Sequence, residues 1–215
     1  MAKATTQASA ADAIKAAMAN VPPLTDGRRE RSLASRRKIL EAMVDLVAAG
    51  DPNPSAAAVA EKAGVGLRSV FRHFEDKDAI LREIDDLLVA VYQPILSVPY
   101  EADDWRSQLD ELIERRCQVN EAVVIFRLSS ILARYRSPFV VEKSREIHAG
   151  EKRMLDEILP ASLQTSTPLG VSIMVATSFD TWRYLRQDVE MSAPDTAEAI
   201  KGMVSDILAR AETEA

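Results

Sequence analysis

The feature that most constrains the fold of this chain is the stretch from residue 55 to 81, which reads SAAAVAEKAGVGLRSVFRHFEDKDAIL. Two short segments with apolar residues at helical spacing flank the tripeptide Gly64-Val65-Gly66. Two short helices joined by so few residues must cross closely, and the small Ala60 permits that approach. Gly64 supplies the left-handed turn conformation that a residue with a Cβ resists. The stretch therefore predicts two helices that cross at a tight turn.

Helix signals continue on both sides of this turn. Apolar residues at three- and four-residue spacing predict a first helix over 35–49, which ends at a glycine followed by a proline-rich turn. Ser55 is expected to cap the second helix, over 56–63, and the third helix covers 67–74. Asp76 is expected to cap a long fourth helix.

The rest of the chain is also predicted to be helical. The fourth helix begins near Lys77 and runs past Val91, and Pro94 kinks or ends it. Strand-like alternation is absent from the sequence, so the predicted fold class is all-α. Five further helices are predicted, over 105–119, 121–135, 139–159, 168–187 and 194–211.

Charge is distributed unevenly along the chain. The net charge is −6, but residues 1–80 hold 12 lysines and arginines against 10 acidic residues. A locally basic region can bind nucleic acid even in an acidic protein, because attraction to phosphate depends on local charge. The one cysteine, Cys117, is expected to be a small core residue in a reducing compartment. With no long apolar run and no signal-peptide pattern, the sequence predicts a cytoplasmic protein without membrane spans.

The burial pattern of residues 55–81 places several side chains on an outer surface. Five apolar residues would pin the second and third helices to the first: Val59, Ala63, Val65, Val70 and Phe74. Four residues are left outside at the start of the third helix: Leu67, Arg68, Ser69 and Arg72. In helix-turn-helix proteins this end of the third helix enters the major groove of DNA.

A basic cluster runs from residue 28 into the start of the first helix, and it contains Arg28, Arg29, Arg31, Arg36, Arg37 and Lys38. It is either a solvated charge run or an arm or helix start that lies on DNA phosphates, and the stretch that follows favours the second interpretation. Residues 1–33 are rich in Ala, Thr and Ser and are predicted to be a flexible extension. A marginal helix is the alternative there, because Ile14, Met18 and Val21 share a helical face.

Residues 58–65 (AVAEKAGV), residues 69–74 (SVFRHF) and Lys77 together resemble the DNA-binding signature of the TetR family. The resemblance covers about residues 35–82. It implies a transcriptional regulator with a three-helix DNA-binding domain at 34–80 and a helical ligand-binding and dimerisation domain at 81–215. It further implies a double-stranded DNA operator as partner, a homodimer and a small-molecule ligand.

The resemblance also implies roles for single residues. Ser69 matches a position that contacts phosphate or bases, and Lys77 matches a phosphate contact at a helix start. His73 matches a position that fixes the end of the third helix. Phe71 stands where a tyrosine is usual, so it can offer only apolar contact. The sequence departs from the family pattern at three places. Gly66 replaces a capping Ser or Thr, Arg68 replaces a small residue, and the Glu75-Asp76 pair is acidic.

Ten residues are predicted to contact DNA: Arg36, Arg37, Ser55, Leu67, Arg68, Ser69, Phe71, Arg72, His73 and Lys77. Arg68 is the candidate for direct readout, since a guanidinium can pair with guanine O6 and N7. Its alternative is a solvated arginine or one that contacts only phosphate. Arg72 either binds phosphate or pairs with Asp76.

The homodimer is predicted to form through the last two helices. One apolar stripe there contains Val171, Met174, Val175, Trp182 and Leu185, and the other contains Ile200, Met203, Val204 and Ile207. Either stripe could instead face its own core. The unknown small-molecule ligand is predicted to contact Phe126, Arg127, Tyr135, Met174, Phe179 and Tyr184, with Arg127 as an anchor for an acidic ligand. Ordinary core or surface positions are the alternative for each of them.

Other functional classes lack support in the sequence. The phosphate-binding loops, nucleophile elbows and metal-binding helices that mark many enzymes are absent from it, so it predicts neither an enzyme nor a bound cofactor or metal. The function predicted is a sequence-specific regulator, a repressor that its ligand releases from the operator. The alternative is a helical adaptor that acts through protein contacts, because Phe71 lacks a hydroxyl and Glu75-Asp76 is acidic.

Overall fold

The computed structural model of the chain describes residues 11–16, 18 and 27–213. Helices and turns make up these residues, and no strand occurs among them, which confirms the all-α fold class. No helix in this part of the chain combines the length and the apolar character needed to cross a membrane.

Nine α-helices follow one another from residue 27 to residue 213. They are α1 (Gly27–Ala48), α2 (Ala56–Ala63), α3 (Leu67–His73), α4 (Lys77–Leu96), α5 (Trp105–Ala133), α6 (Pro138–Ile158), α7 (Pro168–Ala176), α8 (Phe179–Arg183) and α9 (Ala193–Thr213). A 3-10 turn at Ala161–Leu163 precedes α7, and a π-turn at Tyr184–Asp188 continues α8. Pro94 lies inside the last turn of α4 and does not end it.

The described residues of the predicted flexible extension are helical, which differs from the expectation. Helix α1 begins at Gly27 rather than at residue 35. Residues 11–16 and 18 are also helical, and Ile14 and Met18 are buried in the same core as α1. Lys15 forms an ion pair with Asp45 of α1. Burial of this apolar face explains how a helix too short to persist alone is held in place. The remaining residues up to 26, Val21 among them, lie outside the described part of the chain.

The two helices predicted over 105–119 and 121–135 are one continuous helix, α5. The predicted break at residue 120 is absent, because neither Asn120 nor Glu121 disrupts helical hydrogen bonding in the way that proline does. Asn120 is buried, and Glu121 pairs with the guanidinium of Arg186, whose Nη2 lies 3.2 Å from Oε2. Tertiary contacts therefore satisfy the polar groups that the sequence pattern presented as a helix end.

The single helix predicted over 168–187 is interrupted. Helix α7 ends at Ala176 with Thr177 as its C-cap, and Ser178 caps α8 by accepting a hydrogen bond from the Thr181 amide at 3.2 Å. Serine and threonine compete for backbone hydrogen bonds in this way, which makes them frequent at helix boundaries. The following π-turn widens the backbone up to Asp188.

The chain divides into two compact units. The first unit comprises Met1–Pro94 and Ala122–Lys143, and the second comprises Ile95–Glu121 and Ser144–Ala215. The core of the first unit is apolar, and it is formed by side chains of helices α1, α2, α3 and α4 together with Phe126 of α5. The core of the second unit contains Leu112 and Ile173 together with the buried guanidinium of Arg116. The domain boundary near residue 80 stays a prediction, and these units follow different limits.

Candidate nucleic-acid interface

The turn between α2 and α3 is built as its residues predict. Ser55 caps α2 by accepting a hydrogen bond from the Ala58 amide at 3.1 Å. Gly64 ends α2 with φ of 65°, and its amide donates to carbonyls of the preceding turn. This positive φ favours glycine, because a Cβ would clash with the backbone there. The turn fixes the angle at which α3 leaves α2.

Helix α3 divides cleanly into a buried face and an exposed face. Val70 and Phe74 are buried in the core of the first unit, and Phe74 is only 2% exposed. Leu67 and Arg68 at the start of the helix are exposed, and Phe71 is 54% exposed. The core therefore holds α3 by one side and presents the other side, with its first two turns, to solvent.

Arg36 lies in a different environment from the one expected of a DNA contact. Its guanidinium forms an ion pair with Glu83, donates to the His73 carbonyl and stacks 4.3 Å above the Phe74 ring. These contacts tie α1 to the end of α3 and to α4. The guanidinium of Arg36 is thus engaged within the protein, and its predicted contact with DNA stays a prediction. Arg37, next to it, is half-buried, and the side chains of Arg28 and Arg29 lie outside the described residues.

His73 lies where α3 ends, and its ring is partly buried. Burial lowers the pKa of its imidazole, and the neighbouring charges of Arg72 and Arg36 lower it further. Its Nε2 is buried without a hydrogen-bond partner among the described residues. These surroundings favour the neutral ring, and they fit a structural position at the end of the helix rather than a DNA contact.

Arg72 and Asp76 do not pair with each other. The Arg72 guanidinium donates to the Ser69 hydroxyl at 2.7 Å, one turn back along the exposed side of α3. Asp76 instead caps α4 by accepting from the Ala79 amide at 2.7 Å, and it lies 3.6 Å from Arg82. The acidic residue beside this face is therefore occupied as a helix cap, as predicted.

Lys77 opens α4 next to the exposed face of α3. Its ammonium donates to the side-chain carbonyl of Asn53, which lies in the turn between α1 and α2. Burial lowers the pKa of Lys77, while the nearby carboxylate of Asp51 raises it. The side chain thus joins the start of α4 to the turn before α2, and it lines a small cavity together with Phe71.

A short helix thus packs against two others and exposes a basic first turn. This is the arrangement of a helix-turn-helix DNA-binding domain. A model of the family described as bacterial regulatory proteins, tetR family, matches residues 39–84, which contain all of α2 and α3. The matched segment is the DNA-binding domain of that family, and it implies that the chain is a DNA-binding transcription regulator. No curated protein was found to match the chain.

The six candidate ligand contacts are divided between the two units. Phe126 is buried in the core of the first unit, and Tyr135, in the turn after α5, is 88% exposed. Arg127 is half-buried in the same unit. In the second unit Phe179 is buried and stacks on Trp182 with ring centroids 5.6 Å apart. The remaining two, Met174 and Tyr184, are half-buried and exposed respectively. Phe126 thus lies in a core and Tyr135 and Tyr184 lie on the surface, and ligand contact by the six residues stays a prediction.

The two apolar stripes predicted for the dimer divide in the same way. Three of their members, Trp182, Ile200 and Val204, are buried within the second unit and complete its own core. The exposed members are Val171 and Val175, both on α7. Met174, Leu185, Met203 and Ile207 are half-buried. An apolar face thus remains on α7, with half-buried side chains of α9 in the same unit.

Arg116 is the residue of the second unit that sequence reasoning overlooked. It lies on α5 at 9% exposure, donates to the Thr177 hydroxyl at 2.9 Å and to the Glu151 carbonyl. The indole Nε1 of Trp182 is also buried, with no acceptor among the described residues. In the sequence Arg116 follows another arginine on a polar stretch, so only its three-dimensional surroundings distinguish it.

Proposed function

We propose that this TetR-family regulator is a sequence-specific repressor that reads DNA with the exposed face of α3. The observation that carries the proposal is the position of Arg68. Its guanidinium is exposed in the first turn of a helix whose opposite side is fixed by Val70 and Phe74. A rigid helix with an exposed arginine at its start can place two donors against guanine O6 and N7.

Neighbouring side chains support phosphate and base contacts around this arginine. Lys77 and the Ser69–Arg72 pair border the exposed face, and cations at such positions bind phosphates without reading sequence. Phe71 offers its exposed ring for apolar contact with a thymine methyl group. Ser55, Leu67 and Arg37 remain proposed contacts at the border of this surface.

The test is DNA binding titrated across salt with two variants. Lys77→Ala should weaken binding to all sequences alike and lower the salt slope by about 1, because one phosphate contact is lost. Arg68→Ala should weaken binding to the preferred sequence by about 1–3 kcal/mol and leave random DNA less affected. Lys152→Ala, which removes an exposed lysine of the second unit, is the control. Equal binding of all three variants would contradict the proposal.

We also propose that the regulator is a homodimer formed through α7 and α9. Two recognition helices are needed to bind two half-sites, and the exposed Val171 and Val175 with Met203 and Ile207 offer an apolar surface for a four-helix contact. Val175→Arg should yield a monomer in analytical ultracentrifugation. Val98→Arg is the matched control, since Val98 is 52% exposed and Val175 is 57% exposed. A dimer that survives Val175→Arg would contradict this interface.

Release from the operator by a small molecule completes the proposal, with the cytoplasm as the compartment. The second unit supports it with a buried guanidinium, a buried threonine and an unpartnered indole N–H, which are groups that can bind a polar ligand. Binding would favour a conformation of the dimer that no longer fits the operator. Screening carboxylic acids for release of the wild-type protein from its selected DNA tests this, and a compound that releases wild type should release Arg116→Lys less well.

A further inference from the structure

The turn between α5 and α6 presents three large side chains to solvent. Arg134, Tyr135 and Arg136 are all exposed, and Tyr135 is the most exposed large hydrophobic residue described. The backbone beneath them is held in place, because the amides of Arg136 and Ser137 both donate to the Ala133 carbonyl at 2.9 Å. The buried Ser137 hydroxyl then caps α6 by accepting from the Val140 amide at 3.1 Å. The backbone of the turn is therefore fixed, while its three exposed side chains contribute little to the packing of the fold.

Two contacts place this turn at the start of α4. The Arg82 guanidinium lies 5.4 Å above the ring of Phe139, and Lys143 pairs with Asp85 at 2.8 Å. Residue numbers rise together in both helices, so the first turns of α6 run beside α4 in the same direction. The turn that precedes Phe139 is consequently level with the first turn of α4, which contains Lys77.

Electrostatics agree with this placement. Burial is the main factor that lowers the pKa of the Lys77 ammonium, and the positive charge of Arg136 lowers it as well. Arg136 is thus within electrostatic range of a side chain that borders the exposed face of α3. Neither Arg134 nor Arg136 has a carboxylate partner within the part of the chain that the structure describes.

We propose that the Arg134–Arg136 turn is a second phosphate-binding element of the first unit, and that it contacts the DNA backbone beside the phosphates bound at the start of α4. The inference rests on the proposed function, since it adds contacts to the same DNA. Two guanidinium groups without acidic neighbours in the turn suit phosphate oxygens, which they can bind in bidentate fashion. The Tyr135 hydroxyl between them adds a neutral donor to the same backbone.

The experiment compares Arg134→Ala/Arg136→Ala with Arg106→Ala/Arg153→Ala, a control that removes two exposed arginines from the second unit. Affinity for the DNA selected by the wild-type protein is measured across salt. The turn variant should lower the salt slope by about 2 for each bound subunit. Between about 50 and 200 mM salt it should then lose less affinity than wild type does, by roughly tenfold for each bound subunit. The control should keep the wild-type slope.

A third variant separates the hydroxyl from the charges. Tyr135→Phe should weaken binding about threefold without changing the slope, because a neutral hydrogen bond is lost and no counterion is released. Circular dichroism of each variant should match wild type, since the altered side chains are exposed.

A turn variant with the wild-type slope would overturn the inference. If Lys77→Ala lowers the slope in the same titration, DNA binding through α3 and α4 stands and only the role of the turn fails. If the wild-type protein itself selects no DNA sequence and Lys77→Ala changes nothing, the proposed function and the turn fail together. A role in docking an acidic protein would also appear as an unchanged DNA slope.

Discussion

The two units of the molecule differ in where they keep their polar groups. Of the six buried polar side chains among the described residues, five belong to the second unit, and the sixth, Ser137, caps a helix in the first. The first unit has an apolar core and exposes Arg68 and Phe71. A unit that acts on a large partner can leave its recognition groups on the surface. The second unit instead buries Arg116 against the Thr177 hydroxyl and the Glu151 carbonyl.

The largest difference in stability is expected between substitutions at Phe74 and Phe71, the two phenylalanines of the α3 region. Phe74→Ala should lower the free energy of unfolding by about 3–5 kcal/mol, because it leaves a cavity in the apolar core of the first unit. Phe71→Ala should change it by less than about 1 kcal/mol, since more than half of that side chain is already in solvent. Urea denaturation measures both, and similar losses for the two variants would contradict the division of α3 into faces.

The next effect contrasts a buried arginine with an exposed one. Arg116→Ala should lower the free energy of unfolding by about 3 kcal/mol, because the Thr177 hydroxyl and the Glu151 carbonyl lose a charged donor. Arg68→Ala should change it by no more than about 0.5 kcal/mol. Urea denaturation measures both changes in stability. An Arg116→Ala protein as stable as wild type would contradict the hydrogen bonds of Arg116 inside the second unit.

Two glycines of the second unit should respond with opposite signs. A Cβ at Gly170 would lie 2.0 Å from the Gln164 carbonyl oxygen, so Gly170→Ala should cost about 2 kcal/mol. A Cβ at Gly202 in α9 would meet no atom within 4 Å, so Gly202→Ala should gain about 0.5–1 kcal/mol from helix propensity. Thermal unfolding checks both signs, and a stabilised Gly170→Ala would mean that α7 is not packed tightly on residue 164.

The smallest effect is a pH dependence in the first unit. The pKa of His73 lies below its ordinary value of 6.5, chiefly through burial, so the unfolded chain binds a proton more readily than the folded one. Stability is therefore complete above pH 6.5 and falls as the pH drops below it towards the folded pKa. His73→Gln should flatten this dependence, while His148→Gln should preserve it, because His148 is 60% exposed beside Glu151. A dependence that moved with His148 would contradict the assignment.

Local chemistry made much of the first unit predictable. The caps at Ser55, Gly64 and Asp76 are formed by residues within three or four positions of the groups they bind, so the sequence alone reveals them. The apolar spacing likewise predicted the burial of Val59 and Phe74. Each of these features depends on short-range geometry that helical periodicity already specifies.

Features that depend on distant partners could not be predicted in this way. Arg36 belongs to a basic run, but it forms an ion pair with Glu83, which lies 47 residues away in the sequence. The break predicted at residue 120 is absent, and Arg186, 65 residues from Glu121, pairs with that carboxylate. Tertiary pairing overrides local pattern at both positions.

Selection from a random DNA library by the wild-type protein and by Arg68→Ala tests whether the exposed face of α3 reads the DNA sequence. Wild type should enrich an inverted repeat whose half-sites lie about one helical turn apart or a multiple of it. Arg68→Ala should lose the preference for one guanine in each half-site and keep the rest of the sequence. Failure of the wild-type protein to enrich any sequence, or an identical preference in Arg68→Ala, would contradict reading of DNA by the exposed face of α3.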